Sequence, residues 1–251
     1  MSARQPHLDD LGAPVEPVRP AARVVSLVPS LTESVAATRP GALVGATDWC
    51  THPADLSVTR VRGTKNPDVK RIVELRPDVV LANREENREL DVRRLRDAGV
   101  PVWVTVVETV PQALDSLTRM FEDALGWGSP AWLGQVRRRW DRPVPGARAR
   151  VAVPIWRDPW MVVGRDTFTG DLLRRLGYDN VFGQHADRYP KVEVSEVDHD
   201  GVDLVLLPDE PYVFTADDGP EAFSTVPTRL VSGRLLTWYG PSLVDAADLT
   251  F

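Results

Sequence analysis

The densest run of reactive side chains in this 251-residue sequence is Asp48-Trp49-Cys50-Thr51-His52. Aspartate, cysteine and histidine are all metal ligands, and a thiol with a histidine close by could pair as nucleophile and base. A structural zinc site needs four ligands, however, and Cys50 is the sole cysteine. A dedicated metal site is therefore not expected, and Cys50 and His52 are better suited to touching the metal of a bound complex. Glu85-Glu86 could form a general-acid pair, but adjacent carboxylates at a helix start more often complement the helix dipole. Asp198-His199-Asp200 precedes a strand and reads as a polar turn. The sequence contains no Gly-x-Ser-x-Gly, no Walker loop, no Gly-x-Gly-x-x-Gly and no His-Glu-x-x-His. No catalytic residue is assigned, and the expectation is a binding protein rather than an enzyme.

Tryptophan gives the sharper signal. Trp49, Trp156, Trp160 and Trp238, four of the eight tryptophans, fall where predicted strands end. In open α/β sheets, ligands bind beyond the carboxyl ends of the strands. One tryptophan at such a place would be read as core filling, but four favour an aromatic cleft suited to a flat or macrocyclic ligand. The polar groups at these ends complete the candidate ligand-binding set: Ser30, Cys50, His52, Arg84, Glu85, Asn87, Arg157, Glu210 and Tyr239.

The elements that carry these ends alternate regularly. Val24 to Val28, Leu43 to Thr47, Asp78 to Ala82 and Val102 to Val106 are short apolar runs, as expected of buried parallel strands. Between them, Ser30-Leu31-Thr32-Glu33 offers a capped helix start, Pro67 to Leu75 reads as a helix with proline in its first turn, and Glu85 to Ala98 is amphipathic. Residues 111–142 break the rhythm with helical spacing far longer than a crossover helix, although Gly126, Gly128 and Pro130 interrupt or kink it. A second set follows: a strand from Arg150 to Trp156, a helix from Thr167 to Leu176 ended by Gly177, a strand from Val202 to Pro208 and another at Arg229 to Val231. The strands at Asp78 and Asp203 look alike, and each leads into an acidic segment. The expected fold is α/β: two Rossmann-like lobes with parallel sheets joined by a single long backbone helix. The expected boundaries are a disordered arm over residues 1–22, an N-terminal lobe over 23–110, the linking helix over 111–142 and a C-terminal lobe over 148–251.

Composition narrows the class. A charge of −6 argues against a nucleic-acid partner. Arg137-Arg138-Arg139 reads as a solvated helix face. No apolar stretch is long enough to insert in a bilayer. The amino terminus shows no basic segment followed by an apolar run, so the expectation is a cytoplasmic monomer.

Two motifs together resemble a known family. Val24-Val25-Ser26-Leu27-Val28-Pro29-Ser30-Leu31-Thr32-Glu33 is similar to the opening of the helical-backbone metal receptors, the class III substrate-binding proteins of cobalamin, haem and iron-siderophore importers. Gly63-Thr64-Lys65-Asn66-Pro67-Asp68, followed by Ile72 to Ala82, resembles that family's next signature and brings Lys65 and Asn66 into the candidate set. Trp238-Tyr239-Gly240 looks like a late aromatic loop of the cobalamin-binding members. The resemblance implies two lobes, a stiff linking helix and a largely preformed cleft, with a corrinoid, haem or ferric chelate as ligand and no intrinsic cofactor. It also implies an ABC permease as partner, but importer members present an acidic residue on each lobe, and Lys70 and Gly240 stand at those positions. The tryptophan that cobalamin-binding members carry near Thr64 is absent. The leading expectation is an intracellular binding protein. The alternatives are an importer subunit without its leader and a repurposed enzyme acting on a small polycyclic substrate.

Overall fold

The structure, a computed structural model, describes residues 7–251. The described chain divides into two compact units. The first comprises the residues up to Val107 together with Pro111–Arg138 and Tyr239–Pro241; the second comprises Glu108–Val110, Arg139–Trp238 and Ser242–Phe251. Tyr239–Pro241 thus falls in the first unit, not in a C-terminal lobe continuous over 148–251.

In the first unit, β1 (His7–Leu8) and β2 (Pro14–Val15) form a small antiparallel ribbon. This overturns the expected disorder for residues 7–22; residues 1–6 of that expectation lie outside the described residues. The ordering comes from two carboxylates. Asp9 accepts from Leu11 N and Ala13 N, closing its own turn, and from Arg96 Nη2 at 2.7 Å. Asp10 accepts from Val106 N at 2.9 Å and from Arg119. A proline-rich, charged composition is a poor guide when its charges find buried partners.

The sheet of this unit contains β3 (Val24–Ser26), β4 (Leu43–Ala46), β5 (Thr59–Arg60), β8 (Val79–Asn83) and β9 (Val102–Thr105), in the order β5-β4-β3-β8-β9, all parallel. A ribbon of β6 (Arg62–Gly63) and β7 (Asn66–Pro67) lies outside it. Every residue of β8 is buried, as a strand covered on both faces requires. Val25, Leu27, Ile72, Val80, Leu95 and Val102 lie in one core cluster. α1 (Pro29–Ala36) begins one residue before the expected Ser30 cap. Pro29 occupies the first turn, where its missing N–H costs nothing, and Val28 is the uncapped boundary. α2 (Val69–Glu74) starts after Pro67, with Asp68 accepting from Arg71 N. α3 (Glu89–Asp97) starts four residues later than expected. Asn83 Oδ1 accepts from Glu85 N at 2.8 Å and Asn87 Oδ1 accepts from Asn83 N at 2.9 Å, holding 84–88 in a turn.

The expected single linking helix is instead two. α4 (Val110–Arg119) runs into a π turn over Met120–Ala124, and α5 (Ala131–Trp140) starts afresh. Gly126 and Gly128 have φ of 67° and 72°, values a continuing helix cannot contain, and Pro130 follows.

In the second unit, β10 (Ala149–Ala152), β13 (Tyr178–Asn180), β14 (Leu204–Pro208) and β15 (Thr228–Val231) form a parallel sheet in the order β13-β10-β14-β15; β11 (Pro154–Trp156) and β12 (Met161–Val162) pair antiparallel outside it. α6 (Phe168–Leu176) ends as expected, with Gly177 closing it in the left-handed region; Thr167, expected as its first residue, is its cap, Oγ1 accepting from Gly170 N. α7 (Gly233–Thr237) and α8 (Leu243–Ala246) complete the unit.

The likeness of the strands at Asp78 and Asp203 has a structural counterpart. Asp78 Oδ2, just before β8, accepts from Arg23 N at the start of β3. Asp203 Oδ2, just before β14, accepts from Arg150 N at 2.7 Å at the start of β10. Each aspartate closes the amino end of a neighbouring parallel strand in its own unit. No helix among the described residues is long and apolar enough to cross a membrane.

Candidate functional site

The first unit gathers Ser30, Lys65, Glu85 and Tyr239, with Glu86 and Thr105, at the carboxyl ends of β3, β8 and β9. The Tyr239 phenol is buried and pushed far above its ordinary range by that burial and by the nearby Glu86 and Glu85 carboxylates, with the neighbouring Thr105 and Ser30 hydroxyls opposing the shift. Burial also raises the Glu86 carboxyl above the usual carboxylate range, with Glu85 adding to the shift and Lys65 opposing it. Lys65 Nζ donates to the Glu85 carbonyl. The pair is thus not at a helix start complementing a dipole; it belongs to the turn before α3. Asn87 donates to Leu27 O and Thr64 O, tying the end of β3 to the second motif, so its amide is committed to the scaffold.

Gly240 explains how Tyr239 reaches this place. A Cβ at Gly240 would lie 2.7 Å from Ser34 Oγ and 3.2 Å from the Ser30 carbonyl oxygen, so only glycine allows the approach. Gly240 is buried, whereas Lys70 is exposed.

Trp49, after β4, is 64% exposed. His52 and Arg84 are exposed, His52 Nδ1 sharing a hydrogen bond with Thr51 Oγ1. Asn66 lies against Gly63, close to the Trp49 indole nitrogen. Cys50 behaves differently. Its thiol is fully buried between Thr32 Oγ1 at 3.0 Å and Thr47 Oγ1 at 3.1 Å, and burial pushes its pKa up. Neither contact with a ligand's metal nor nucleophilic attack suits a buried, protonated thiol, so Cys50 is corrected to a packing residue.

In the second unit, Trp156 and Trp160 flank the turn between β11 and β12. Trp156 is 45% exposed and sits edge-on to Tyr212 at 5.6 Å. Trp160 is stacked on Phe214 at 5.8 Å and meets Phe223 edge-on. Arg157 lies over the Trp160 ring at 5.5 Å and forms ion pairs with Asp218 and Glu221. Tyr212 Oη donates to Asp218 at 2.6 Å. The hydrogen bonds to Arg157 hold Glu221 below the usual carboxylate range, and those from Tyr212 and Arg157 do the same for Asp218. Arg157 therefore spends its charge bracing an aromatic cluster. Trp238 is buried, which removes it from the exposed set. Glu210 packs against Gly233. Tyr212, Phe214, Asp218 and Glu221 escaped the sequence reading; the period-two pair Tyr212 and Phe214 around exposed Val213 was the signal for the first two.

Among the described residues, no group of three or more His, Cys, Asp or Glu side chains is placed to hold a metal. Residues 198–201 form the polar turn expected there, Gly201 N donating to His199 Nδ1, and Asp198 accepts from the backbone N–H groups of Ser224, Thr225 and Val226.

No family model matches the chain. A curated relative, the vitamin B12-binding protein of Vibrio parahaemolyticus, is 24% identical over 189 residues, covering 71% of this chain and 67% of the relative. Among solved structures, the periplasmic vitamin B12-binding protein BtuF of Vibrio cholerae superposes with a TM-score of 0.72 at 18% identity, covering 91% of this chain and 94% of that one. A periplasmic haem-binding protein from Pseudomonas aeruginosa gives 0.72 at 22% identity, covering 90% of each chain. The two-lobed α/β fold and the resemblance to class III substrate-binding proteins are borne out, and these relatives and neighbours are binding proteins.

Proposed function

We propose that this chain, which has the class III substrate-binding fold, is a ligand-binding protein for a corrinoid, a tetrapyrrole such as haem, or a related metal chelate, and not an enzyme. The observation that carries the reading is Trp49, a large apolar ring left 64% exposed beyond the carboxyl end of β4. Such an indole is costly to leave in water and offers a flat macrocycle dispersion contact and apolar burial. Trp156 offers the second unit's exposed indole, on a hairpin braced by Arg157. Lys65 is exposed beside the Glu85 turn and supplies a donor for a polar ligand rim.

Titration of tryptophan fluorescence with cobalamin, haem and ferric siderophores tests this. Saturable quenching by one of these classes is expected; no quenching by any of them overturns it.

The periplasmic neighbours favour a second reading, an importer subunit working with an ABC permease. Fractionation of host cells separates the two. An exported pool that co-purifies with a permease supports the importer, and a wholly cytoplasmic pool supports an intracellular carrier.

A further inference from the structure

The second unit contains a cavity of about 420 Å³ whose lining includes Arg142, Arg148, Arg175 and Asp248. Its place in the fold is the reverse of that expected for the ligand discussed above. Arg148 immediately precedes β10, and Leu176 and Tyr178 flank the glycine between α6 and β13, so the cavity opens at the amino ends of the parallel strands.

Its charge is unbalanced. Three guanidinium groups line it against one carboxylate, and that carboxylate, Asp248, is already paired with Arg139. Arg175 is paired with Asp171, which Arg174 also engages. Among the described residues, no carboxylate pairs with Arg142 or Arg148. Each donates one hydrogen bond to a backbone carbonyl, Arg142 to Ala247 at 3.1 Å and Arg148 to Leu176. Each also lies over an aromatic ring, Trp140 and Tyr178 respectively, at 5.4 and 5.2 Å, which fixes the plane of the guanidinium. A guanidinium has five N–H donors, so most of those on Arg142 and Arg148 remain available. The negative end of the α6 dipole, about half a charge, is too small to offset the excess.

The geometry points to a second ligand site here, for a small oxyanion carrying two or more negative charges, a phosphate ester or a polycarboxylate. Planar guanidinium forks held on aromatic faces match the paired oxygens of both groups, and charge-assisted pairs of this kind are the stronger hydrogen bonds. The cavity volume accommodates a small molecule.

Isothermal titration of the intact chain at low salt, with pyrophosphate, citrate and inorganic phosphate as separate probes, tests the assignment. Binding of pyrophosphate or citrate at one site per chain is expected, with a Kd below about 1 mM, and whichever binds more tightly identifies the oxyanion source. Arg142→Gln and Arg148→Gln should each weaken that binding by about tenfold, and added salt should weaken it further. Arg142 is exposed at the surface, so its variant remains informative if Arg148→Gln disturbs the strand start. Quenching by cobalamin or haem should be unchanged in both variants, which separates failure of this site from failure of the tryptophan reading. The absence of heat from all three anions up to about 10 mM overturns the proposal, as does binding of equal strength in wild type and the Arg142→Gln variant.

Discussion

Asp10 Oδ1 accepts from Arg119 Nη1 at 2.8 Å across 109 residues of sequence. The same carboxylate receives Ser116 Oγ and Val106 N, so one side chain of the amino-terminal ribbon gathers α4 and the segment after β9. Replacing Asp10 with Ala should leave a buried backbone N–H and a guanidinium without their partner and cost about 1–3 kcal/mol. Urea unfolding of wild type and Asp10→Ala measures this; equal midpoints would show the ribbon to be an ornament.

Trp49→Ala should weaken ligand binding by about tenfold or more while leaving the melting temperature unchanged, because the ring is exposed and packs against little. Trp156→Ala should weaken binding likewise, with a small loss of stability because its ring also packs edge-on against Tyr212. Affinities that survive both replacements would remove the exposed indoles from the site.

Cys50 should resist thiol reagents in the native protein and react on unfolding, since its Sγ is buried and burial raises its pKa. Labelling with a maleimide across a denaturant series reports this. Rapid labelling in native buffer would contradict the packing role.

Acid should release the second unit's aspartate contacts in a defined window. Asp203 and Asp198 titrate at about 2 in the folded chain, Asp203 chiefly through its hydrogen bonds with Arg150 and Asp198 through the N–H groups of Ser224 and Val226. Both lie below the unfolded carboxyl value of about 3.9. Their stabilisation is therefore complete above pH 4 and is lost as the pH falls towards 2. Asp203→Asn should flatten the fall in stability across that window, read from melting temperatures between pH 5 and 2; an unchanged slope would rule out the contribution.

Gly240→Ala should destabilise the first unit by about 1–3 kcal/mol, since its Cβ would meet a backbone oxygen as well as the Ser34 hydroxyl. A second replacement, Ser34→Ala, removes the hydroxyl contact and should recover part of the loss. No loss in Gly240→Ala would mean that the segment carrying Tyr239 has room to move.

The sequence by itself determined the parallel strands, the end of α6 and the fold class, and it did so for a local reason. Apolar runs such as Val79 to Ala82 must be covered on both faces, and a helix stop at Gly177 needs only neighbouring residues to act. The two motifs at Val24 and Gly63 were legible for the same reason. The tertiary structure alone decided which polar and aromatic groups remain available. Cys50 and Trp49 are adjacent in sequence, yet one is sealed between two threonines and the other stands in solvent. Trp160 and Arg157 were spent on partners from 212–223 that no spacing rule connects to them. Asp10 and Tyr239 were placed by contacts more than a hundred residues away along the chain. Periodicity reports which face of an element is apolar, whereas burial and pairing depend on distant residues that only the folded chain brings within reach.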